Sequence, residues 1–498
     1  MLLNPLLTAT LVLPLLSLAK QHPLPLSTDY ASSFEAAQEN APHIFNALHS
    51  SMRQWGSSLK HNGLSFFPAS IPADTYLYHG THDNKPETGM EWLAFEIEHA
   101  EAFARAWGPP PKRPGKPPPG DGPRRNELRD EERIANHFGP PENSGKPGYL
   151  HIYQTTRKLS KILYIDGMSA GKTKLGTLDS TDMVLRNKTG NDPPWGEYER
   201  AEELCELGTK WDIEGFIRLE AGFELILCNF TNGLEFKSAR RRPKQDPNQF
   251  EYMRAVAARY QGITAGRVEV DYSSMVSAFF YPINLTNPNP KRAELPRLVS
   301  SEVGGVRHIQ EDLEIVLESS QRFSNERIDW QGVVDMIVTR YSDRLQYMVL
   351  ETTTQEEIQA TVSTLLSLYV DFDDPKIPLA NTICTYHYLN STQPTTSADH
   401  LIHSAIATVS EKICSTLFEV RRLIEEESPA VETAKLEMKD LIAYLDWSTW
   451  LECGKCAYDE VCYVAVWPWG TIEDHFHPSC KNSSLDFGRD RQSYWGSY

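Results

Sequence analysis

Three short segments hold residues whose types and order could carry out chemistry. Residues 75–81 read TYLYHGT, a strand-like run that ends in a His-Gly-Thr motif. Residues 92–104 begin as an aromatic strand and change to a helical pattern, and residues 222–227 read GFELIL, which is typical of a buried strand. A carboxylate and an imidazole beside aromatic rings can stabilise a cationic transition state. The candidate residues in these segments are His79, Gly80, Thr81, Trp92, Phe95 and Glu224.

Taken in this order, with strand-like runs at 148–153 and 161–166 between them, the segments resemble the ADP-ribosyltransferase-like fold. In that family a strand ends in a His-Gly-Thr motif, an aromatic strand with its helix follows, and a late strand carries a glutamate. The resemblance covers about residues 70–235. The chain departs from the family pattern at Phe95, where the His-type enzymes have a tyrosine, and it lacks their Ser-Thr-Ser motif.

The resemblance implies a site that takes NAD as its substrate and cleaves the bond between nicotinamide and ribose. Glu224 would stabilise the oxocarbenium-like transition state. His79 would hydrogen-bond the adenosine-side ribose, and Gly80 would let the backbone approach the nicotinamide amide. Phe95 or Trp92 would flank the nicotinamide ring. The acceptor of the ADP-ribose would be water, a protein or a small molecule.

Each of these residues also has a structural interpretation, which the sequence leaves open. His79 can be a hydrogen-bonded histidine at a strand end, and Phe95 can be a core residue. Glu224 can lie on the exposed face of an edge strand. Glu214 and Glu220 are close enough in sequence to replace it as the catalytic carboxylate. An active site predicts one cavity bordered by His79, Phe95 and Glu224, whereas a degenerate scaffold predicts that these side chains are scattered.

Three further features contain residue types that could bind a ligand. Residues 167–173 read GMSAGKT, with three residues between the glycines where a phosphate-binding loop has four, so we interpret them as a glycine-rich turn. His475 and His477, beside Glu473 and Asp474, could hold a metal, but exposed loop histidines are the more common case. The cysteines of the tail could bind zinc by number alone. No metal site is predicted, because the compartment inferred below favours disulfides.

Apolar periodicity predicts an α+β protein with a mixed β-sheet front domain, an α-helical domain and a disulfide-rich C-terminal tail. The stripe of Ile402, Ile406, Val409, Ile413 and Leu417 is typical of a helix. The predicted divisions are a signal peptide at 1–19, a polar and partly helical lead-in at 20–69, the α/β domain at 70–235 with a Pro-rich loop at 108–125, a connecting region at 236–307, a helical domain at 308–452 and a Cys-rich tail at 453–498.

Several features predict an N-glycosylated protein that is secreted or lies in the lumen of the secretory pathway. The apolar run from Leu11 to Leu18 ends in Ser17-Leu18-Ala19, which is typical of a signal peptide cleaved after Ala19. The whole chain, with its turn at 167–173 and its cysteine-rich tail, also resembles uncharacterised secreted proteins of filamentous fungi. The candidate glycosylation acceptors are Asn187, Asn229, Asn284, Asn390 and Asn482.

An even number of cysteines predicts four disulfides in an oxidising compartment. Sequence proximity favours pairing of Cys205 with Cys228 and of Cys384 with Cys414. The other four are expected to pair among themselves, and they are Cys453, Cys456, Cys462 and Cys480.

The net charge of -18 disfavours nucleic acid and anionic membranes as partners, since both would repel the chain. The mature chain has no run of 18 uninterrupted apolar residues, so we predict no membrane anchor. Two functions remain open: a secreted glycoprotein that cleaves NAD or transfers ADP-ribose, and a non-enzymatic secreted scaffold or binding protein with a degenerate site. A carbohydrate-associated role for the tail tryptophans ranks below both.

Overall fold

The structure of the chain is a computed structural model that describes residues 30–104, 147–188, 196–243, 248–320, 327–426, 431–485 and 493–496. The predicted signal peptide at 1–19 and the predicted Pro-rich loop at 108–125 lie outside these residues.

In the described ranges, ten strands form one mixed sheet in the order β10-β1-β5-β6-β7-β3-β2-β4-β8, with β9 also paired to β1. Strands β5 and β6 are parallel, and every other pair in the sheet is antiparallel. The strands are β1 Ser65–Ile71, β2 Tyr76–Thr81, β3 Glu91–Ala94, β4 Tyr149–Thr155, β5 Leu159–Ile165, β6 Gly215–Leu219, β7 Phe223–Leu227, β8 Leu234–Arg241, β9 Glu269–Val270 and β10 Val276–Ser277. A separate hairpin pairs β11 Glu460–Tyr463 with β12 Ser479–Asn482.

Helices surround this sheet and make up most of the C-terminal half. They are α1 Phe34–Glu39, α2 Ala41–Ser50, α3 Gln54–Leu59, α4 Ile97–Phe103, α5 Glu197–Trp211, α6 Gln249–Ala257, α7 Val303–Ser320, α8 Trp330–Met348, α9 Gln355–Leu366, α10 Ile377–Tyr386, α11 Ser397–Glu426, α12 Val431–Leu445 and α13 Ile472–Phe476. The predicted α+β class with a mixed sheet is confirmed. In the described part of the chain, no helix is both long and apolar enough to cross a membrane.

The central strands are covered on both faces, which explains their uninterrupted apolar runs. Every residue of β1, β6 and β7 is buried, as expected for strands in the middle of a sheet with helices on each side. The predicted stripe from Ile402 to Leu417 lies on α11 and is buried throughout. Amphipathic periodicity therefore placed the long helix correctly, because its burial is one-sided.

The predicted domain boundaries at 69/70 and 235/236 fall inside strands β1 and β8. Strands β9 and β10, from the predicted connecting region, pair with β1. One continuous cluster of buried apolar residues extends from Ala37 to Trp495, and within it the ring of Phe45 stacks on Trp447 of the C-terminal part at 5.6 Å. The front and helical halves therefore share a core, and this sharing depends on long-range pairing that local patterns do not reveal.

All eight cysteines are paired in the structure, and none is free. The bonds are Cys205–Cys228, Cys384–Cys414, Cys453–Cys462 and Cys456–Cys480. These are the pairs that sequence proximity favoured, with the four C-terminal cysteines paired among themselves. Cys384 on α10 and Cys414 on α11 are buried, so their bond ties a peripheral helix to the longest described one.

Removing the Cys384–Cys414 bond should destabilise the helical half. The bond closes a loop with a sequence separation of 30 residues. Without the bond, the unfolded chain gains conformational entropy, and for a loop of this length the gain lowers the free energy of unfolding by roughly 3 to 4 kcal/mol. We expect the variant Cys384→Ala/Cys414→Ala to lose about that much free energy of unfolding in urea titrations. A matched double alanine variant at Cys453 and Cys462, whose sequence separation is 9, should lose less.

A buried histidine lies where the end of the chain returns to the fold. The ring of His475 on α13 stacks on Tyr494 with centroids 3.8 Å apart, and its Nδ1 has no hydrogen-bond partner among the described residues. Burial lowers the pKa of His475 to about 2, and the neighbouring His61 and Arg292 act in the same direction. The imidazole is therefore neutral in the fold. The prediction of two exposed loop histidines is wrong for His475, which is buried, whereas His477 is exposed.

His475 should make the fold sensitive to acid. The pKa of His475 is lower in the folded state than the ordinary 6.5. Below pH 6.5 the imidazole is therefore protonated in the unfolded chain but not in the folded one, and this favours unfolding. From about pH 7.5 to about pH 5.5, the wild type should lose about 1 kcal/mol more free energy of unfolding than His475→Phe. Urea titrations at both pH values measure this, with His477→Phe as the control. Equal losses in the wild type and His475→Phe would contradict the prediction.

Candidate functional site

A cavity of about 250 Å³ lies where α4 crosses the strands β2 and β3. It combines residues from all three predicted segments with residues from two further stretches, which contribute Lys172 and Glu197. The residues that border it are Tyr78, His79, Gly80, Glu91, Trp92, Leu93, Ala94, His99, Ala100, Phe103, Lys172, Glu197, Glu220 and Glu224. Four of the six predicted site residues, His79, Gly80, Trp92 and Glu224, therefore meet at one cavity.

Strand register brings the predicted motifs together. Ala94 on β3 pairs with Tyr78 on β2 and with Glu224 on β7, and Glu224 pairs in turn with Arg218 on β6. Residues that are paired across neighbouring strands point to the same face of a sheet. The carboxylate of Glu224 therefore lies in a row across four strands on the face that α4 covers. The three motifs are far apart in sequence but occupy the adjacent strands β2, β3 and β7.

His79 reaches the cavity where β2 and β3 separate. The two strands share one residue pair, Tyr78 with Ala94, and beyond it the Nδ1 of His79 donates to the carbonyl oxygen of Trp92 at 2.7 Å. The other ring nitrogen, Nε2, lies 3.7 Å from the Oε1 of Glu87. His79 follows Tyr78 in the strand, so its side chain starts from the opposite face to Glu224. Protein groups thus hold both ring nitrogens at the edge of the cavity.

Gly80 is required by the close approach of α4. A Cβ atom at this position would lie 2.1 Å from the carbonyl oxygen of Ala100 and 2.6 Å from the nitrogen of Ala104. Gly80 therefore has a packing role beside α4 in addition to its predicted contact with a ligand. Thr81 does not border the cavity, and its hydroxyl donates to Glu87 at 3.0 Å. Thr81 instead helps to hold the carboxylate that faces His79.

The two predicted aromatic residues lie in different environments. Trp92 is partly buried, borders the cavity and packs edge-on against Tyr198, with ring centroids 5.2 Å apart. Phe95 is fully buried in the main core and does not border the cavity. The structure therefore leaves Trp92 as the candidate to flank a planar ligand, and it supports the core interpretation of Phe95.

A cluster of buried charges forms the floor of the cavity. Lys172 Nζ lies 2.5 Å from Glu220 Oε1, and Arg218 Nη2 lies 2.6 Å from Glu224 Oε1. Glu197, at the start of α5, forms an ion pair with the same Arg218 nitrogen and lies 3.7 Å from Lys172. Lys172, Arg218, Glu220 and Glu224 are each at most 5% exposed. Buried charges of this kind persist only when they are paired.

The cluster gives its carboxyl groups different proton affinities. Burial raises the pKa of Glu224 to about 7, against the opposing effect of Arg218. For Glu197 burial also acts upward, but Arg218, Lys172 and Arg200 together outweigh it and lower the pKa to about 2. Burial alone would lower the pKa of Lys172, yet the surrounding glutamates raise it. At neutral pH the floor is therefore charged, with Glu224 as the group closest to exchanging a proton.

His99 on α4 completes the floor of the cavity. It is 2% exposed, its Nδ1 lies 2.9 Å from the hydroxyl of Tyr252, and its Nε2 has no hydrogen-bond partner among the described residues. Burial lowers the pKa of His99 to about 4, so the imidazole is neutral at pH 7. Donor atoms of His99, Glu220 and Glu224 lie within 4.8 Å of one another.

Sequence reasoning missed His99, Lys172, Glu197 and Arg218. Lys172 belongs to the GMSAGKT turn, which follows β5 and begins with Gly167 at a positive φ of 68°. That turn is glycine-rich, as predicted, but it also carries a buried lysine into the cavity. A signal was present for Arg218, which interrupts the apolar run GFIRL of β6, because a charge in a central strand needs a buried partner. Glu214, the other alternative carboxylate, pairs with Arg157 and does not border the cavity.

The contrast between the two aromatic residues can be tested by stability. Phe95→Ala should lower the free energy of unfolding by about 3 to 5 kcal/mol, because it leaves a cavity in the core. Trp92→Ala should cost clearly less, since part of that ring is already exposed to solvent. Urea denaturation followed by circular dichroism gives both values. Equal costs would show that Trp92 is a core residue like Phe95 and is no candidate to flank a ligand.

The part of the chain that forms this site is similar in sequence to known proteins. A family model described as the YPL277C N-terminal domain matches residues 29–246. The uncharacterized protein YOR389W of Saccharomyces cerevisiae is 25% identical over an alignment of 559 positions, which covers 91% of this chain and 86% of the yeast protein. The uncharacterized protein YPL277C of the same yeast is 32% identical over 219 residues, which cover 39% of this chain and 41% of that protein.

No solved structure matches the chain. The region matched by the family model, 29–246, includes every residue that borders the cavity. The chain is thus similar, over nearly its whole length, to the yeast protein YOR389W.

Proposed function

We propose that the chain is a secreted glycoprotein whose cavity binds NAD and cleaves the bond between nicotinamide and ribose. The observation that carries the proposal is the meeting of the predicted motifs: His79, Trp92 and Glu224 come from adjacent strands and border one cavity. The predicted resemblance to the ADP-ribosyltransferase-like fold supplies the identity of the substrate. In this proposal Glu224 is the catalytic carboxylate, and Trp92 flanks the nicotinamide ring.

The reaction breaks the C–N bond between C1′ of the ribose and the ring nitrogen of nicotinamide. Nicotinamide leaves with the bonding electron pair as a neutral molecule, and the ribose becomes an oxocarbenium ion. Water or another hydroxyl acceptor then adds to C1′ and releases a proton, which gives ADP-ribose or an ADP-ribosylated product. Glu224 would stabilise the positive charge that develops on the sugar. Trp92 would hold the ring in place by stacking.

The charge balance of the cavity supports a cationic ligand. Three carboxylates, Glu197, Glu220 and Glu224, face two buried cations, Lys172 and Arg218. Arg200 also approaches Glu197 at 3.4 Å, but its guanidinium forms a two-point ion pair with Asp182. With Glu224 deprotonated, the floor therefore has an excess of negative charge, which suits the positive nicotinamide ring of NAD. The volume is slightly below the about 300 Å³ that is typical of small-molecule sites, so only the nicotinamide ribose end would enter.

Exposure of the acceptor sites supports the secreted, glycosylated state. Asn187, Asn229, Asn284 and Asn390 are exposed, and Asn482 is partly exposed, so each is open to glycosylation. The four disulfides agree with an oxidising compartment. Secretion itself rests on the predicted signal peptide at 1–19.

Nicotinamide release from NAD by the purified, glycosylated protein tests the enzymatic proposal. We expect slow but measurable release by the wild type, and a loss of at least about 100-fold in Glu224→Gln, because that carboxylate stabilises the transition state. Chromatographic quantification of nicotinamide, with excess protein to reveal slow turnover, is the measurement. His79→Ala should also lose activity through the loss of its contact with Trp92.

The matched control is Glu214→Gln, which removes a nearby carboxylate that does not border the cavity. It should retain the wild-type rate. Circular dichroism must show that the variants are folded. No release by the wild type, or equal rates in the wild type and Glu224→Gln, would rule out NAD cleavage at this site.

A non-enzymatic binding protein is the second candidate function, and one surface favours it. Helix α10 exposes Leu379, Ile383 and Tyr386, of which Leu379 is 56% exposed, and their spacing of four and three puts them on one face of the helix. In the segment before α10, Leu368 and Phe372 are also 58% and 66% exposed. Exposed apolar faces of this kind can mark interaction surfaces. A failure of the NAD assay would therefore direct attention to partners of this helix.

A further inference from the structure

The buried floor of the cavity has the ligand set of a metal site, which the sequence analysis did not predict. We propose that His99, Glu220 and Glu224 bind one divalent transition-metal ion of the Zn²⁺ class. The three residues come from α4, from the turn after β6 and from β7, so no sequence motif connects them. The inference does not rest on the proposed NAD chemistry, but it gives Glu224 a second role, so a metal ion and the nicotinamide ring would be alternative occupants of the same floor.

The donor atoms are already close to a coordinating arrangement. They lie within 4.8 Å of one another, and all three residues are buried. Zinc binds imidazole nitrogen and carboxylate oxygen at about 2.0 to 2.2 Å, which requires neighbouring donors to lie roughly 3.5 Å apart. Shifts of about 1 Å at the ends of the side chains would complete the set. The cavity side supplies an open fourth position.

The unpaired Nε2 of His99 is the independent observation that indicates a ligand. The side chain is 2% exposed, and this nitrogen has no hydrogen-bond partner in the described part of the chain. A buried polar atom without a partner is costly, and native structures seldom leave one without a reason. A metal ion at Nε2 would satisfy it, because the neutral imidazole then offers a lone pair at that nitrogen.

Each proposed ligand is also held by a second group, as is usual around metals. Tyr252 accepts a hydrogen bond from Nδ1 of His99 in this tautomer, at 2.9 Å. Lys172 holds Oε1 of Glu220 and Arg218 holds Oε1 of Glu224. Both hydrogen bonds are to Oε1 of the glutamate, which leaves Oε2 of each carboxylate to face a metal. The side chains are therefore oriented before any ion arrives.

The donor set and the local charge select the class of metal. One imidazole with two carboxylates suits zinc and its neighbours, whereas Ca²⁺ and Mg²⁺ prefer all-oxygen sites. Lys172 and Arg218 are positive, but Glu197 contacts both and leaves the floor with three carboxylates against two cations. A divalent ion with a bound hydroxide would therefore be close to neutralising this excess.

Zinc binding to the purified full chain, measured by titration calorimetry after chelator treatment and without NAD, tests the proposal. We expect one Zn²⁺ per chain in the wild type. His99→Gln and Glu220→Gln should each weaken binding by more than the roughly 10- to 100-fold that loss of a supporting group costs, because each removes a ligand. His477→Gln, at the exposed histidine of the tail, is the matched control and should bind as the wild type does.

X-ray absorption of the zinc-loaded wild type keeps the test decisive if a variant fails to fold. The spectrum should show one imidazole and oxygen ligands at about 2.0 to 2.2 Å, with no sulfur. No binding by the wild type, wild-type affinity in both folded ligand variants, or a spectrum with two imidazoles would each overturn the proposal. Because NAD is absent, none of these results depends on the outcome of the NAD assay.

Discussion

The burial of Arg218 constrains both the sheet and the helices around it. Its side chain is fully buried on the central strand β6, where an unpaired guanidinium would be prohibitively costly. Two carboxylates meet it there, Glu224 from the neighbouring strand and Glu197 from the first turn of α5. The pairing fixes the register of β7 beside β6 and the position of α5 over the sheet. Removal of either glutamate would take away one of the two carboxylates that pair with this guanidinium.

The same pairing gives the cavity its polar floor. Glu197 also approaches Lys172, which the turn after β5 carries into the interior, and Lys172 holds Glu220. A stability network and a candidate site are thus built from the same residues. Such overlap is common, because a carboxylate kept in a buried position by a cation has a shifted pKa and a defined direction. The raised pKa of Glu224 and the unpaired nitrogen of His99 both follow from this burial.

The sheet also explains why the front and helical halves form one body. Strand β1 pairs with β5 and also with β9 and β10, which lie about 200 residues further along the chain. Helix α2 and the C-terminal segment around Trp447 bury the same apolar surface. Any ligand-induced change at the cavity would therefore act on a core that reaches both ends of the described chain.

The sequence by itself determined the α+β class, the long amphipathic helix, two of the four disulfides and the strands that carry His79, Trp92 and Glu224; the pairing within the tail came from the structure. Local apolar period and sequence proximity carry this information, because both depend on near neighbours. Only the tertiary structure decided that Phe95 faces the core, that Trp92 faces the cavity, and that His99, Lys172 and Arg218 converge on Glu224. Register between strands and the packing of α4 and α5 set these positions, and both depend on contacts between residues far apart in the chain.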